Sequence, residues 1–347
     1  MRGKGINYDT GFYPGGHSSR EHFDAGIVRA EMRVIARELR CTAVRISGGD
    51  PGRLSTAGEL AAAEGLEVWF APFPCELAPD QLAPLFADCA DRAEPLRRTG
   101  ANVVLVTGCE LTLFGAGFLP GGTVYERIQG LQAGGQQLYA AFAALPGKLN
   151  GFLAATAEAA RSRFGGPLTY ASGMWEPVDW APFDIAATDA YRDASNAATF
   201  RSELRKQLQH GKPLAVTEFG CCGYAGAGDR GGMGWAILDA STDAPRLDGD
   251  YVRDEAEQVR YLEEVNAIFA EEGVDLAFWF TFAGYPLVYD SDPRCDLDMA
   301  SYGVVKMLPG GAGTGHDGLG WEPKLAFAAL AGVDRRAAPV RSGREAG

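Results

Sequence analysis

Short apolar runs and longer segments of helical period alternate along the chain. The first run, KGINY over residues 4–8, leads into Asp9, and a second, TAVRIS over 42–47, ends in a Gly-Gly-Asp-Pro turn. Others follow at 66–73 (LEVWFAPF), 102–107 (NVVLVT), 167–172 (PLTYAS), 185–188, 213–220 (PLAVTEFG) and 276–282 (LAFWFTF). Runs this short, nearly continuous in apolar residues and bounded by turn residues, predict strands buried on both faces, as in a parallel sheet. Between them, 23–39, 54–63, 79–98, stretches within 125–164, 199–209 and 255–272 carry helical period; Ile27, Met32, Val34, Ile35 and Leu39 share one broad face.

Eight strands separated by helices or long crossovers predict an α/β fold, a (β/α)8 TIM barrel closed by a last helix at 324–330. Residues 1–333 are expected to form one domain, and 334–347, charged and rich in small residues, a disordered tail. Glycine-rich stretches at 114–122 and 221–234 predict loops over the strand ends, the second a flexible one. A doubly wound sheet is the alternative, but no glycine-rich phosphate fingerprint follows the first strand.

Composition narrows the function. The 347 residues are 46% hydrophobic and 22% charged, as in globular domains. A net charge of −13 argues against nucleic acid or an anionic membrane as partner, since both select basic surfaces. No apolar run reaches a membrane span, and the N-terminus lacks the apolar core of a secretory signal. Seven scattered cysteines suit a reducing, cytoplasmic setting, and without CxxC or HExxH spacing no metal or cofactor is implied. The partner expected is a small molecule or an oligosaccharide, and the sequence assigns no oligomeric state.

In a barrel, the residues that follow the strands converge on one mouth. Here they include Asn7, Tyr8, Asp9, Arg45, Asp50, Glu76, Glu110, Trp175, Glu176, Asp189, Tyr191, Glu218, Trp279 and Tyr285. Glu110 after the fourth strand and Glu218 on the seventh offer the two carboxyls of retaining glycoside hydrolysis, one as acid/base and one as nucleophile. Arg45 inside an apolar strand demands an acidic partner. Asn7 and Asp189 are candidate ligands of substrate hydroxyls. Asp50, between Gly49 and Pro51, is expected to cap a turn, Glu176 to be a solvated loop charge, and Cys221 and Cys222 to pack behind Glu218.

With Glu110 ending strand four and Glu218 strand seven, the chain resembles clan A of the retaining glycoside hydrolases over roughly residues 3–330. The resemblance implies a (β/α)8 barrel in which Glu110 is the acid/base and Glu218 the nucleophile. It further implies that Arg45 supports the nucleophile, that Tyr191 hydrogen-bonds it, and that Trp279 floors the sugar site. The late runs DMASYG (298–303) and WEPK (321–324) also look like the ends of such enzymes. One position departs from the pattern: Cys109 stands where the clan carries the asparagine that binds the sugar 2-hydroxyl, and a thiol is a weak hydrogen-bond partner. The stretches GINYDTGFYPG and VTGCELTLFGAGFLPG are also similar to actinobacterial proteins labelled abortive infection protein.

The expected function is therefore hydrolysis of a β-linked sugar by a two-glutamate double displacement. Two alternatives stand beside it. One is a barrel using the same carboxylates for acid/base chemistry on a non-sugar metabolite, as a cyclase or isomerase. The other is a non-catalytic module that binds a carbohydrate or a protein partner.

Overall fold

The computed structural model describes residues 1–239 and 245–332, so the tail expected at 334–347 lies outside the described residues. The expected runs form β1 (Gly3–Asp9), β2 (Ala43–Gly48), β3 (Glu67–Pro72), β4 (Val103–Cys109), β5 (Leu168–Gly173), β6 (Ala186–Asp189), β7 (Leu214–Phe219) and β8 (Leu276–Trp279). They pair in parallel and close into a barrel in the order β1-β8-β7-β6-β5-β4-β3-β2. The (β/α)8 architecture is thus the one the sequence pattern predicts.

Strand alternation sorts the core into two layers. Ala43, Trp69, Val104, Val106, Ala171, Ala187, Ala215 and Phe278 fill the inside. The alanines make room for the rings of Trp69 and Phe278, which meet edge to face at 4.9 Å. Ile6, Val44, Val68, Leu105, Leu168 and Val216 point outward and pack on the helices.

The helices are α1 (Ala25–Arg37), α2 (Pro51–Ala63), α3 (Pro79–Arg98), the short α4 (Leu111–Phe114), α5 (Val124–Ala133), α6 (Gln136–Arg161), α7 (Phe200–Leu208), α8 (Glu255–Glu272) and α9 (Leu325–Gly332). Asp50 caps α2 by accepting from the backbone N–H of Gly52 at 2.7 Å and of Arg53 at 3.1 Å, a contribution of about 1 kcal/mol. Its turn setting predicted that role. Asp24 does the same for α1. Between β5 and β6 the chain crosses without a helix.

Beyond β8 the chain adds a three-stranded sheet of β9 (Ala283–Val288), β10 (Val305–Met307) and β11 (Trp321–Pro323). Its anchor is Glu31 of α1, fully buried, whose carboxylate accepts from Tyr8, Tyr285, Arg20 and the Trp321 indole. Tyr8 and Tyr285, expected on the rim, therefore belong to this outer network. Among the described residues, no helix is long and apolar enough to cross a membrane.

Candidate active site

Glu218 reaches the barrel interior because β7 breaks its own alternation. Ala215 faces in and Val216 out, so strict alternation would place Glu218 outward with Val216. The pairing register shifts instead between Thr188 and Asp189 on the β6 side and between Ala277 and Trp279 on the β8 side. That irregularity sends Phe219 out against Phe269 of α8 and turns Glu218 inward, the re-aiming a bulge provides. On β4 a similar shift between Val106 and Cys109 brings Cys109 inside.

Once inside, Glu218 is held on both carboxylate oxygens. Arg45 Nη1 lies 2.6 Å from Oε1, and the Tyr191 hydroxyl donates to Oε2 at 3.0 Å. The same Arg45 nitrogen donates to Asn7 Oδ1 at 2.8 Å, while Asn7 Nδ2 donates to the Thr217 carbonyl at 2.8 Å. Asn7 and Arg45 are both buried, so Asn7, an expected substrate ligand, joins Arg45 in the frame that orients Glu218. Burial and the Glu218 charge push the Tyr191 phenol well above its ordinary pKa, which keeps it a donor.

Asp189 ends β6 beside this pair. Its Oδ2 accepts from the Cys109 thiol at 3.3 Å, and the same thiol lies 3.7 Å from Glu218 Oε1. Burial, then the charge of Glu218, raise the Asp189 carboxyl well above the usual carboxylate range. Burial and then Asp189 raise the Cys109 thiol too. Cys109, Asp189 and Glu218 bring three donor atoms within 4.8 Å of one another, the spacing of a cation site. The Arg45 guanidinium, 2.6 Å from Glu218 Oε1, already supplies positive charge there.

Glu110 follows Cys109 in a left-handed conformation, φ 40° and ψ 48°. Part of its side chain stays open to solvent, yet enough protein surrounds it that burial raises its carboxyl well above the usual range. The charges of Asp189, Glu218 and Glu176 add to that rise, and Arg45 opposes it. Among the described residues no group donates a hydrogen bond to this carboxyl. Its backbone N–H is bonded to the Ala171 carbonyl at 2.8 Å.

Glu176 corrects the expectation of a solvated loop charge. It is buried, and its carboxylate accepts from the N–H of Thr112 at 3.0 Å and of Gly173 at 2.9 Å, and from the Tyr170 hydroxyl at 2.9 Å. Tyr170 in turn accepts from the Leu111 N–H at 2.7 Å. The pair grips the turn that carries Glu110, and burial lifts Glu176 to a pKa of about 7 despite those hydrogen bonds. An acidic residue beside an exposed tryptophan gave no sequence signal for this role.

Trp279 also differs from the expectation. Its side chain is fully buried on the outer face of β8, edge to face with Phe219 at 5.5 Å, and its indole N–H donates to the Tyr302 carbonyl at 3.0 Å. It is closed to a ligand. Two aromatics flank Tyr191, the buried Tyr302 at 5.9 Å and the partly exposed Phe280 at 6.5 Å between ring centroids. Gly220 permits the approach of Phe280, because a Cβ there would sit 2.6 Å from the Phe280 carbonyl oxygen.

The glycine-rich loop after β7, expected to be flexible, is pinned. Tyr302 accepts from Gly234 N–H at 2.9 Å and donates to the Gly231 carbonyl at 2.7 Å, and the Tyr224 hydroxyl donates to the Gly234 carbonyl at 2.9 Å. Cys221 and Cys222 are buried beneath it.

No family model matches the chain, and no curated protein is similar to it in sequence. Solved structures are similar in fold. A GH113 β-1,4-mannanase superposes with a TM-score of 0.61 at 13% identity, covering 97% of this chain and 99% of its own. The GH113 β-mannanase AaManA from Alicyclobacillus acidocaldarius gives 0.58 at 18% identity, covering 96% and 97%. A family 1 β-glucosidase from Thermotoga maritima gives 0.52 at 10% identity, covering 96% and 97%. The expected resemblance to clan A glycoside hydrolase barrels holds at the level of the fold.

Proposed function

We propose that the protein is a retaining glycoside hydrolase acting on a β-linked sugar, with Glu218 as nucleophile and Glu110 as acid/base. One observation carries the reading. A carboxylate oriented by Arg45 and Tyr191 shares the barrel mouth with a second carboxyl whose surroundings favour its protonated form. Two carboxyls driven to opposite tasks by their environments are what double displacement needs.

In the first step a Glu218 oxygen attacks the anomeric carbon as the bond to the leaving oxygen breaks, and Glu110 gives its proton to that oxygen. In the second, Glu110 takes a proton from water, the water oxygen attacks the anomeric carbon, and Glu218 leaves as carboxylate. Asp189, its carboxyl raised by burial and by the charge of Glu218, offers a hydrogen-bonding group to a sugar hydroxyl, and Phe280 offers an apolar face beside Tyr191. With Cys109 where the clan has asparagine, the 2-hydroxyl contact falls to Asp189 rather than to an amide.

The Cys109–Asp189 contact also favours a second reading, acid/base catalysis by Asp189 and Glu110 on a non-sugar metabolite. Chemical trapping separates the two. Incubation with 2,4-dinitrophenyl 2-deoxy-2-fluoro-β-glycosides leaves a sugar ester on Glu218 if the first reading is right. Turnover that needs Glu110 and Asp189 but survives Glu218→Gln supports the second.

A further inference from the structure

Loops after β1, β3, β4 and β7 are joined above the barrel by direct contacts. Phe12, Phe73 and Phe114 pack in series, the first pair edge to face and the second tilted, with centroids 5.0 and 4.6 Å apart, which ties the β1 loop to the end of β3 and to the β4 loop. Glu76, after β3, strengthens the same tie, since its Oε1 accepts from the N–H of Gly15 at 3.1 Å and of Val124 at 3.2 Å. Tyr125 at the start of α5 then meets Trp235 of the β7 loop at 6.2 Å between ring centroids. A Cβ on Gly15 would lie only 3.0 Å from the Tyr125 ring, so the β1 loop abuts the same contact.

β4 and β7 stand three places apart in the ring of eight, nearly across the barrel from each other. The two rings carried by their loops meet on the side of the mouth where Gly15 of the β1 loop and Glu76 after β3 also touch the start of α5, so the contact walls the β1 to β3 side. The β7 loop is in turn fixed against the site, because Gly232 packs on the Tyr191 ring and Tyr302 pins Gly231 and Gly234. What remains is the side over β5 and β6, where Trp175 is 41% exposed with its indole N–H donating to Thr112 Oγ1 at 3.1 Å.

A catalytic groove that cuts inside a polymer needs a gap in the rim on both sides of the carboxylates. This rim has one side walled. We propose that the site is a pocket for the end of a sugar chain or for a short glycoside, entered over β5 and β6. The Tyr125–Trp235 contact closes the far side, and Trp175 stacks on the leaving group. This rests on the glycosidase reading and adds the substrate class to it: a terminal, non-polymeric β-glycoside rather than the interior of a polysaccharide.

The test pairs the full-length chain with its Tyr125→Ala/Trp235→Ala variant, neither residue being part of the proposed chemistry. Each is assayed on a panel of 4-nitrophenyl β-glycosides and on soluble β-1,4-mannan and carboxymethylcellulose, with viscosity and product length recorded. The wild type is expected to cleave at least one aryl glycoside and to leave polymer viscosity unchanged. The double variant should keep its aryl-glycoside kcat/KM within about threefold while gaining interior cleavage of polymer. Trp175→Ala should raise KM for an unmodified β-linked disaccharide, assayed alongside the panel, more than for the aryl monosaccharide.

A rapid fall in viscosity with the wild type, or an unchanged product pattern in the double variant, overturns the pocket while leaving the glycosidase reading intact. Failure of the wild type to cleave any saccharide, together with no 2-fluoroglycoside adduct, overturns both.

Discussion

Arg45 Nη1 sits 2.6 Å from Glu218 Oε1 with the guanidinium buried, so the candidate nucleophile and its counter-ion form one unit inside the barrel. Removing one member of such a buried pair leaves an uncompensated charge. Arg45→Met is expected to cost roughly 3–5 kcal/mol of unfolding free energy at neutral pH, by the usual scale for broken buried pairs. Arg45→Met/Glu218→Gln should lose much less than the sum of the two single variants. Urea unfolding of the four proteins measures the coupling, and additive losses would remove the pair from the account.

Glu110 owes part of its raised pKa to the charge of Glu176. Taking that charge away by Glu176→Gln makes the Glu110 anion easier to form, so its pKa falls. A general acid works only while protonated, and the alkaline limb of the kcat/KM profile should therefore move to lower pH. Glu218 itself is untouched by the substitution. A pH–rate profile whose alkaline limb stays fixed or moves upward would sink the role given to Glu176.

Much of this site is legible in the sequence, and what is not follows from local irregularity. The glutamates, Arg45, Asp189 and Tyr191 emerge from recognisable strands, and parallel barrels gather such residues at one end. Trp279 was misassigned although the alternation could have corrected it. With Leu276 and Phe278 inside, Trp279 falls outside and Phe280 returns to the mouth. Glu218 and Cys109 are the converse case. Strict alternation would exclude them, and only the register shifts bring them in. Glu176 could not be found because its role lies in hydrogen bonds to the backbone of a distant turn.

The left-handed backbone at Glu110 costs the fold stability. A residue with a Cβ gives up about 1–2 kcal/mol in that region, whereas glycine does not. Glu110→Gly should therefore unfold at higher temperature than the Glu110→Gln variant, which keeps the strain. Both should lose on the order of 10²–10⁴ in turnover of a substrate with a poor leaving group. Calorimetry on the two variants decides it, and equal melting temperatures would contradict the strain argument.

Cys109 sits where an amide would serve a sugar hydroxyl better than a thiol does. Cys109→Asn should raise kcat/KM on a β-glycoside bearing a free 2-hydroxyl and leave the 2-deoxy analogue unchanged, because only the former gains a contact in the transition state. Steady-state kinetics on the two substrates test this. A loss on both would instead tie the thiol to the Asp189 contact and favour the non-sugar reading.

The central claim is that Glu218 forms a covalent bond to the anomeric carbon. Trapping with 2,4-dinitrophenyl 2-deoxy-2-fluoro-β-glucoside and -mannoside, read by intact mass and peptide mapping, tests it directly. The account predicts a single sugar adduct on the peptide containing Glu218, absent in Glu218→Gln. An adduct on another residue contradicts it, as does an unlabelled enzyme that still hydrolyses the matching aryl glycoside.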